Sequence, residues 1–112
     1  MNIQIFGSKK CFDTKKAERY FKERRIKFQK IDLFQKGLSP GELKSIAQSV
    51  SIENLINKES PNYKESVLAY TQDRDTMQEI LLENPQLLKT PIVRNGKKAS
   101  VGYEPDVWKS WE

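Results

Sequence analysis

Residues 3–33, IQIFGSKKCFDTKKAERYFKERRIKFQKIDL, decide the fold because their hydrophobic period changes twice. The opening residues alternate between apolar and polar, as in a half-buried strand. The segment DTKKAERYFKERR then places Ala17, Tyr20 and Phe21 on one helical face, after which IKFQKI alternates again. Strand, helix and strand in this order predict a βαβ unit with parallel strands and a right-handed crossover.

The next part of the chain carries helix signals. Ser39 and Pro40 supply an N-cap and a first helical residue, and a glutamate follows three residues after the cap. ESPNYKESVLAY predicts a short helix after Pro61, and DRDTMQEILLENPQLL predicts another that ends before Pro85. We therefore expect a helical insertion at about residues 38–88.

The C-terminal segment returns to strand signals. In TPIVRNGKKASVGY the Asn95-Gly96 pair separates two apolar runs, which predicts a hairpin with a two-residue type I′ turn. EPDVWKSW is predicted to close the chain as a helix. The complete order, βαβ, helices and ββα, predicts a thioredoxin-like α/β fold with a mixed sheet, in which residues 1–112 form a single domain.

The composition excludes several classes of site. The 112 residues are 37% hydrophobic and 31% charged, and no apolar run approaches the roughly 18 residues of a membrane span. The N-terminus lacks the long apolar region of a signal peptide, so we expect a cytoplasmic protein that does not enter a membrane. One cysteine and no histidine exclude an internal disulfide, a zinc site and Ser-His-Asp or Cys-His catalysis, so no metal is expected.

The net charge of +5 raises the question of nucleic-acid binding. In KKAERYFKERR, however, Lys15 and Arg19 alternate with Glu18 and Glu23. Such alternation is more typical of a solvated helix face than of a phosphate-binding stripe. We therefore expect no direct contact with nucleic acid. We also expect the chain to be a monomer.

The single cysteine, Cys11, is predicted to lie in the loop after the first strand, just before the first helix. Sites in open α/β folds lie at this carboxyl end of the sheet. Unpaired N–H groups at a helix start and the neighbouring Lys9 and Lys10 favour a thiolate, whereas the charge of Asp13 opposes it. The hydroxyl of Thr14 is expected to face back toward the sulfur. This placement predicts a reactive cysteine, and the alternative is a partly buried, inert one.

The Thr90-Pro91 pair gives a second indication of a site. In the predicted architecture this proline begins the third strand and faces the cysteine loop. A cis bond there would shape the groove beside Cys11, although most X-Pro bonds in folded proteins are trans and the sequence does not show the isomer.

Five segments of the chain resemble, in the same order, segments of the arsenate reductase/Spx family of thioredoxin-like proteins. They are IQIFGSKKCFDTKKAERYFKERRIKFQKIDL, LSPGELKSI, LINKESPNYKE, ENPQLLKTPIV and VGYEPDVW, which together span nearly the whole chain. The family includes glutaredoxin-dependent arsenate reductases and transcription regulators of the Spx type that bind RNA polymerase. By this resemblance, Cys11 matches the nucleophilic or redox-active cysteine.

The resemblance implies a monothiol oxidoreductase that holds no bound cofactor and acts on a small-molecule or thiol substrate. Cys11 would attack an oxidised or electrophilic substrate, and glutathione or a glutaredoxin would resolve the product as the external reductant. In this role Lys9 and Lys10 would hold the thiolate and Thr14 would orient it. The alternative that the resemblance implies is an Spx-like transcription regulator that binds RNA polymerase.

The chain departs from both family patterns. The reductases carry arginines where this chain has Asn57 and Thr90, so arsenate, which needs charged donors to offset its desolvation, is expected to be a poor substrate. Asn57 and Thr90 remain candidate substrate-binding residues. The Spx-type regulators carry a second cysteine where this chain has Thr14, so a disulfide switch within the chain is excluded.

Overall fold

Four strands form one mixed sheet in the computed structural model, which describes residues Met1–Glu112. The strands are β1 (Ile3–Gly7), β2 (Phe28–Asp32), β3 (Ile92–Asn95) and β4 (Lys98–Val101), in the spatial order β2-β1-β3-β4. β1 runs parallel to β2 and antiparallel to β3, and β3 and β4 form an antiparallel hairpin. The predicted mixed sheet is therefore confirmed, with the βαβ unit on one side and the hairpin on the other.

Four α-helices connect or follow these strands. They are α1 (Phe12–Glu23), α2 (Pro40–Ser49), α3 (Arg74–Glu83) and α4 (Pro105–Ser110), accompanied by 3-10 turns at Ile52–Leu55, Val67–Tyr70 and Pro85–Leu87. The predicted start of α2 is confirmed, because Ser39 and Glu42 form a reciprocal capping box with distances of 3.1 and 2.9 Å. None of the helices has the length and hydrophobicity that crossing a membrane requires.

The predicted helix after Pro61 is wrong. The segment forms successive turns, and its only helical part is the 3-10 turn Val67–Tyr70. Local hydrogen bonds accompany the difference. The hydroxyl of Ser60 accepts from the N–H of Asn62 (3.4 Å), and that of Ser66 caps the 3-10 turn by accepting from the N–H of Leu68 (3.0 Å). Such local bonds offer the backbone an alternative to an α-helix.

The hairpin between β3 and β4 is confirmed, but its turn differs by one residue from the prediction. Asn95 pairs with Lys98, so Gly96 and Lys97 form the turn. Gly96 has a φ of 61°, while Lys97 is not among the residues with positive φ, the pattern of a type II′ rather than a type I′ turn. Asn95 stays in the sheet because its side-chain oxygen accepts a hydrogen bond from the N–H of Asn2 at 3.1 Å.

The sheet has a hydrophobic cluster on each face. α1 and α4 cover one face with the residues Ile3, Ile5, Ala17, Tyr20, Phe21, Val93 and Trp108. The helical insertion covers the other, where Phe6, Leu43, Leu55, Leu81 and Ile92 are buried. Because β1 and β2 are parallel, the loops that follow their carboxyl ends lie together at one end of the sheet.

Candidate active site

Cys11 lies between β1 and α1, where it is the N-cap residue of the helix. Its backbone is extended (φ −90°, ψ 117°), and its carbonyl oxygen accepts a hydrogen bond from the N–H of Lys15 at 3.4 Å. The first turn has no oxygen-bearing side chain as a cap, so its free N–H groups are available to the sulfur. The side chain is partly exposed.

Ser8 holds the loop that carries Cys11. Its carbonyl oxygen accepts from the N–H of Cys11 at 3.1 Å, and its hydroxyl oxygen accepts from the N–H of Lys10 at 3.3 Å. Its own N–H donates to the hydroxyl oxygen of Thr14 at 3.4 Å. We did not predict this role from the sequence, although a serine directly after a strand is a known signal for such local bonds.

Thr14 packs against Gly7, the last residue of β1. A Cβ added to Gly7 would lie 2.3 Å from Cγ2 of Thr14 and 2.6 Å from its hydroxyl oxygen, so only glycine fits. Thr14 is only 3% exposed. Because its oxygen already accepts from Ser8, its hydroxyl hydrogen is free to point at the sulfur of Cys11. The sequence analysis predicted a role for Thr14 at the site but none for Gly7.

Thr90 contacts Cys11 from the opposite side. The Sγ atom of Cys11 lies 3.5 Å from the carbonyl oxygen of Thr90, to which the neutral thiol donates. The bond between Thr90 and Pro91 is cis. Thus the structure brings together three of the sequence-predicted residues, Cys11, Thr14 and Thr90, and Pro91 follows Thr90 in the chain.

The environment of Cys11 favours its thiolate. Burial raises the pKa of the Cys11 thiol. Hydrogen bonds from the side chains of Thr14 and Thr90, and from the backbone of Thr14 and Asp13, together lower the pKa by more than burial raises it. The pKa of Cys11 therefore lies below its ordinary value. These hydrogen bonds, rather than lysine charges, are the principal causes of the lowering. Lys9 and Lys10 directly precede Cys11 in the sequence, and their side chains are exposed on the loop.

Asn57 lies in the helical insertion. Backbone hydrogen bonds join its segment to the segment that directly precedes Thr90. Its N–H donates to the carbonyl oxygen of Leu87 at 2.8 Å, and Lys89 donates to Leu55 at 2.8 Å. The side-chain oxygen of Asn57 accepts from the N–H of Glu59 at 3.1 Å, which makes it a local turn residue. None of its hydrogen bonds reaches Cys11.

A small cavity lies behind the loop that carries Cys11. A cavity of about 30 Å³ lies between β1, β2 and α1, lined by Gly7, Ser8, Thr14 and Asp32 among others. This volume is comparable to a single water molecule, and Cys11 does not line it. Cys11 is instead partly exposed to solvent. No group of three or more Cys, Asp or Glu side chains is arranged to hold a metal ion.

Comparisons with known proteins agree with this fold. The model of the ArsC family matches residues 6–111. The global transcriptional regulator Spx 2 from Oceanobacillus iheyensis is 29% identical over 109 residues, which cover 95% of this chain and 80% of that protein.

Two solved structures confirm the fold. An arsenate reductase from Vibrio cholerae superposes with a TM-score of 0.87 at 23% identity, covering 98% of this chain and 97% of the other. The glutaredoxin-like NrdH-redoxin from Escherichia coli, described as having thioredoxin-like activity, superposes with a TM-score of 0.51 at 15% identity, covering 100% and 96%. The thioredoxin-like α/β fold predicted from the order of elements is therefore confirmed.

Proposed function

The chain belongs to the ArsC family, and we propose that its activity is thiol–disulfide exchange carried by Cys11 alone. The observation that supports this most directly is the set of hydrogen bonds from Thr14, Thr90 and the first turn of α1, which lower the pKa of Cys11 while its sulfur stays accessible. A thiolate that is both stabilised and accessible is the reactive form of cysteine.

The proposed reaction begins when the Cys11 thiolate attacks one sulfur of a disulfide. A mixed disulfide forms, and the other sulfur leaves as a thiolate that takes a proton from solvent. Because the chain has one cysteine, an external thiol such as glutathione, or a glutaredoxin, must attack this intermediate. Over the whole cycle, two external thiols are oxidised to one disulfide and the substrate disulfide is reduced to two thiols. Cys11 is released again as the thiolate.

The surrounding residues have separate tasks in this proposal. Thr14 orients the sulfur and donates its hydroxyl hydrogen to the thiolate, while Ser8 holds the oxygen of Thr14 in place. Thr90 and Pro91 form the wall against which the substrate sulfur approaches. Lys9 and Lys10 supply positive charge to the rim of the site.

Reduction of a model disulfide by glutathione tests the proposal. We expect the protein to accelerate reduction of hydroxyethyl disulfide, with a glutathione adduct at Cys11 visible by mass spectrometry and removed by a glutaredoxin. The Cys11→Ser variant should show only the uncatalysed rate. Absence of the adduct, or equal rates for both proteins, would contradict the activity.

A second candidate function is regulation of transcription. The relative from Oceanobacillus iheyensis is named a global transcriptional regulator, and the match covers 95% of this chain. In this case the chain would bind RNA polymerase through its surface, and the lack of a second cysteine would make binding independent of a disulfide within the chain. A pull-down with purified RNA polymerase distinguishes this function from thiol–disulfide exchange. If the polymerase retains the native chain and the Cys11→Ser variant equally, and the native chain does not reduce the model disulfide, the result supports regulation of transcription.

A further inference from the structure

Phe12, the residue after Cys11, exposes a large apolar side chain at the site. It is the first residue of α1, and its side chain is 79% exposed. The buried residues of the helix are Thr14, Ala17, Tyr20 and Phe21, so the core does not use Phe12. A single exposed phenylalanine is common on protein surfaces. What distinguishes this one is its position beside the reactive sulfur and among lysines.

Lysines flank Phe12 on both sides in the sequence. Lysines occupy positions 9, 10, 15 and 16, all exposed, and Asp13 is the only acidic residue between positions 9 and 16. The ammonium group of Lys15 lies 5.9 Å from the centre of the Phe12 ring. The ion pairs of the structure, Lys30 with Glu18 and Arg74 with Glu53, include none of these lysines. Their charges therefore remain available to a partner.

We propose that Phe12, Lys9, Lys10 and Lys15, here called the Cys11 rim, are a docking surface for an acidic polypeptide that exchanges its disulfide with Cys11. This inference rests on the proposed function and adds the chemistry of the partner. An exposed apolar side chain flanked by lysines that form no ion pair is complementary to an acidic surface that offers an apolar contact. A small neutral disulfide would use neither feature, so the rim favours a polypeptide over such a substrate.

Two synthetic peptides test the charge preference. Both carry the same mixed disulfide with thionitrobenzoate and the same apolar residue, but one has glutamates and the other lysines on either side. We expect the acidic peptide to react with Cys11 at least about tenfold faster at low salt. The difference should shrink as ionic strength rises from about 0.01 to 1 M, because the screening length falls from about 30 to 3 Å.

Matched variants locate the effect. Each rate with the acidic peptide is divided by the rate with hydroxyethyl disulfide, so that changes in the thiolate fraction cancel. The Lys9→Glu, Lys10→Glu double variant should lose most of the preference. Its control is Lys97→Glu, Lys98→Glu, an exposed pair at the hairpin turn. This turn lies at the opposite end of the sheet from Cys11, because Asn95 pairs with Ile3, the first residue of β1.

The apolar anchor has its own control. Phe12→Ala should lower the normalised rate severalfold, whereas Tyr70→Ala, which removes an aromatic side chain that is 82% exposed in the helical insertion, should not. Equal losses in the two lysine pairs, equal losses in the two aromatic variants, or equal rates for the two peptides would overturn the docking surface. Failure of Cys11 to react even with hydroxyethyl disulfide would instead overturn the proposed function, and the docking surface with it.

Discussion

The Sγ atom of Cys11 lies 3.5 Å from the carbonyl oxygen of Thr90, although the two residues are 79 positions apart in the chain. A carbonyl oxygen stabilises the neutral thiol, which can donate to it, whereas the hydroxyls of Thr14 and Thr90 stabilise the thiolate, which can only accept. The sulfur therefore changes partners when it ionises, and its reactivity depends on the two threonine side chains.

The Thr14→Val variant tests this dependence. Valine keeps the shape of the side chain but removes the hydroxyl, so we expect the pKa of Cys11 to rise and the rate of alkylation at pH 7 to fall severalfold. The measurement is the alkylation rate of the folded protein against pH. Thr71→Val is the control, because its hydroxyl bonds only to the carbonyl oxygen of Val67. A native midpoint at or above the unperturbed pKa of roughly 8.5 would contradict the role of the hydrogen bonds.

The same shift predicts how stability depends on pH. The pKa of Cys11 is lower in the folded than in the unfolded chain, so the folded state holds the thiolate more readily. This contribution is fully present above the unfolded-state pKa and is lost as pH falls through the folded-state pKa. We therefore expect the native chain to become more stable relative to Cys11→Ser as the pH rises from the folded-state pKa to the unfolded-state pKa, when stability is measured as the free energy of unfolding. Urea unfolding of both proteins at several pH values measures the difference, and a constant difference would contradict the prediction.

Gly7→Ala is predicted to destabilise the fold. The new Cβ would lie 2.3 Å from Cγ2 of Thr14, so α1 must move away from the end of β1. Overpacking of this kind costs about 1–3 kcal/mol. Gly41→Ala is the control, because no atom lies within 4 Å of the added Cβ. Urea unfolding compares the two variants, and Gly7→Ala combined with Thr14→Ala should regain part of the loss. Equal stability of Gly7→Ala and the native chain would show that the contact is not restrictive.

The elements that could be predicted from sequence have local causes. The cap at Ser39 joins residues three positions apart, and the position of Cys11 before α1 follows from a change of period within one segment. Gly7 could not be assigned a role in this way, because its role depends on how closely α1 approaches β1, and the bond from Ser8 to Thr14 depends on the same approach. The hairpin turn was displaced by one residue for a similar reason, since the bond from Asn2 to Asn95 joins opposite ends of the chain.

The native chain is predicted to reduce arsenate poorly, whatever the reactivity of Cys11 toward disulfides. Arsenate must lose water at the site, and each charge-assisted hydrogen bond from a positioned arginine would return roughly 1.5–3 kcal/mol. Asn57 and Thr90 offer only neutral groups, and the oxygen of Asn57 is already engaged by the N–H of Glu59. Lysines nearby lack the planar guanidinium that binds two oxygens at once. Loss of two such contacts, at about 1.4 kcal/mol for each factor of ten, corresponds to a deficit on the order of a hundredfold or more.

An assay of arsenate reduction with glutathione and a glutaredoxin measures this deficit. The Asn57→Arg, Thr90→Arg double variant should gain activity, although the loss of the Thr90 hydroxyl removes one of the groups that lower the pKa of Cys11. The control is Asn2→Arg, Gln29→Arg, which adds the same charge near the other end of β1, where Gln29 pairs with Gln4. A gain confined to the first variant supports the argument from oxyanion binding. Efficient turnover by the native chain, unchanged in both variants, would show that Cys11 reduces arsenate without arginines at these positions.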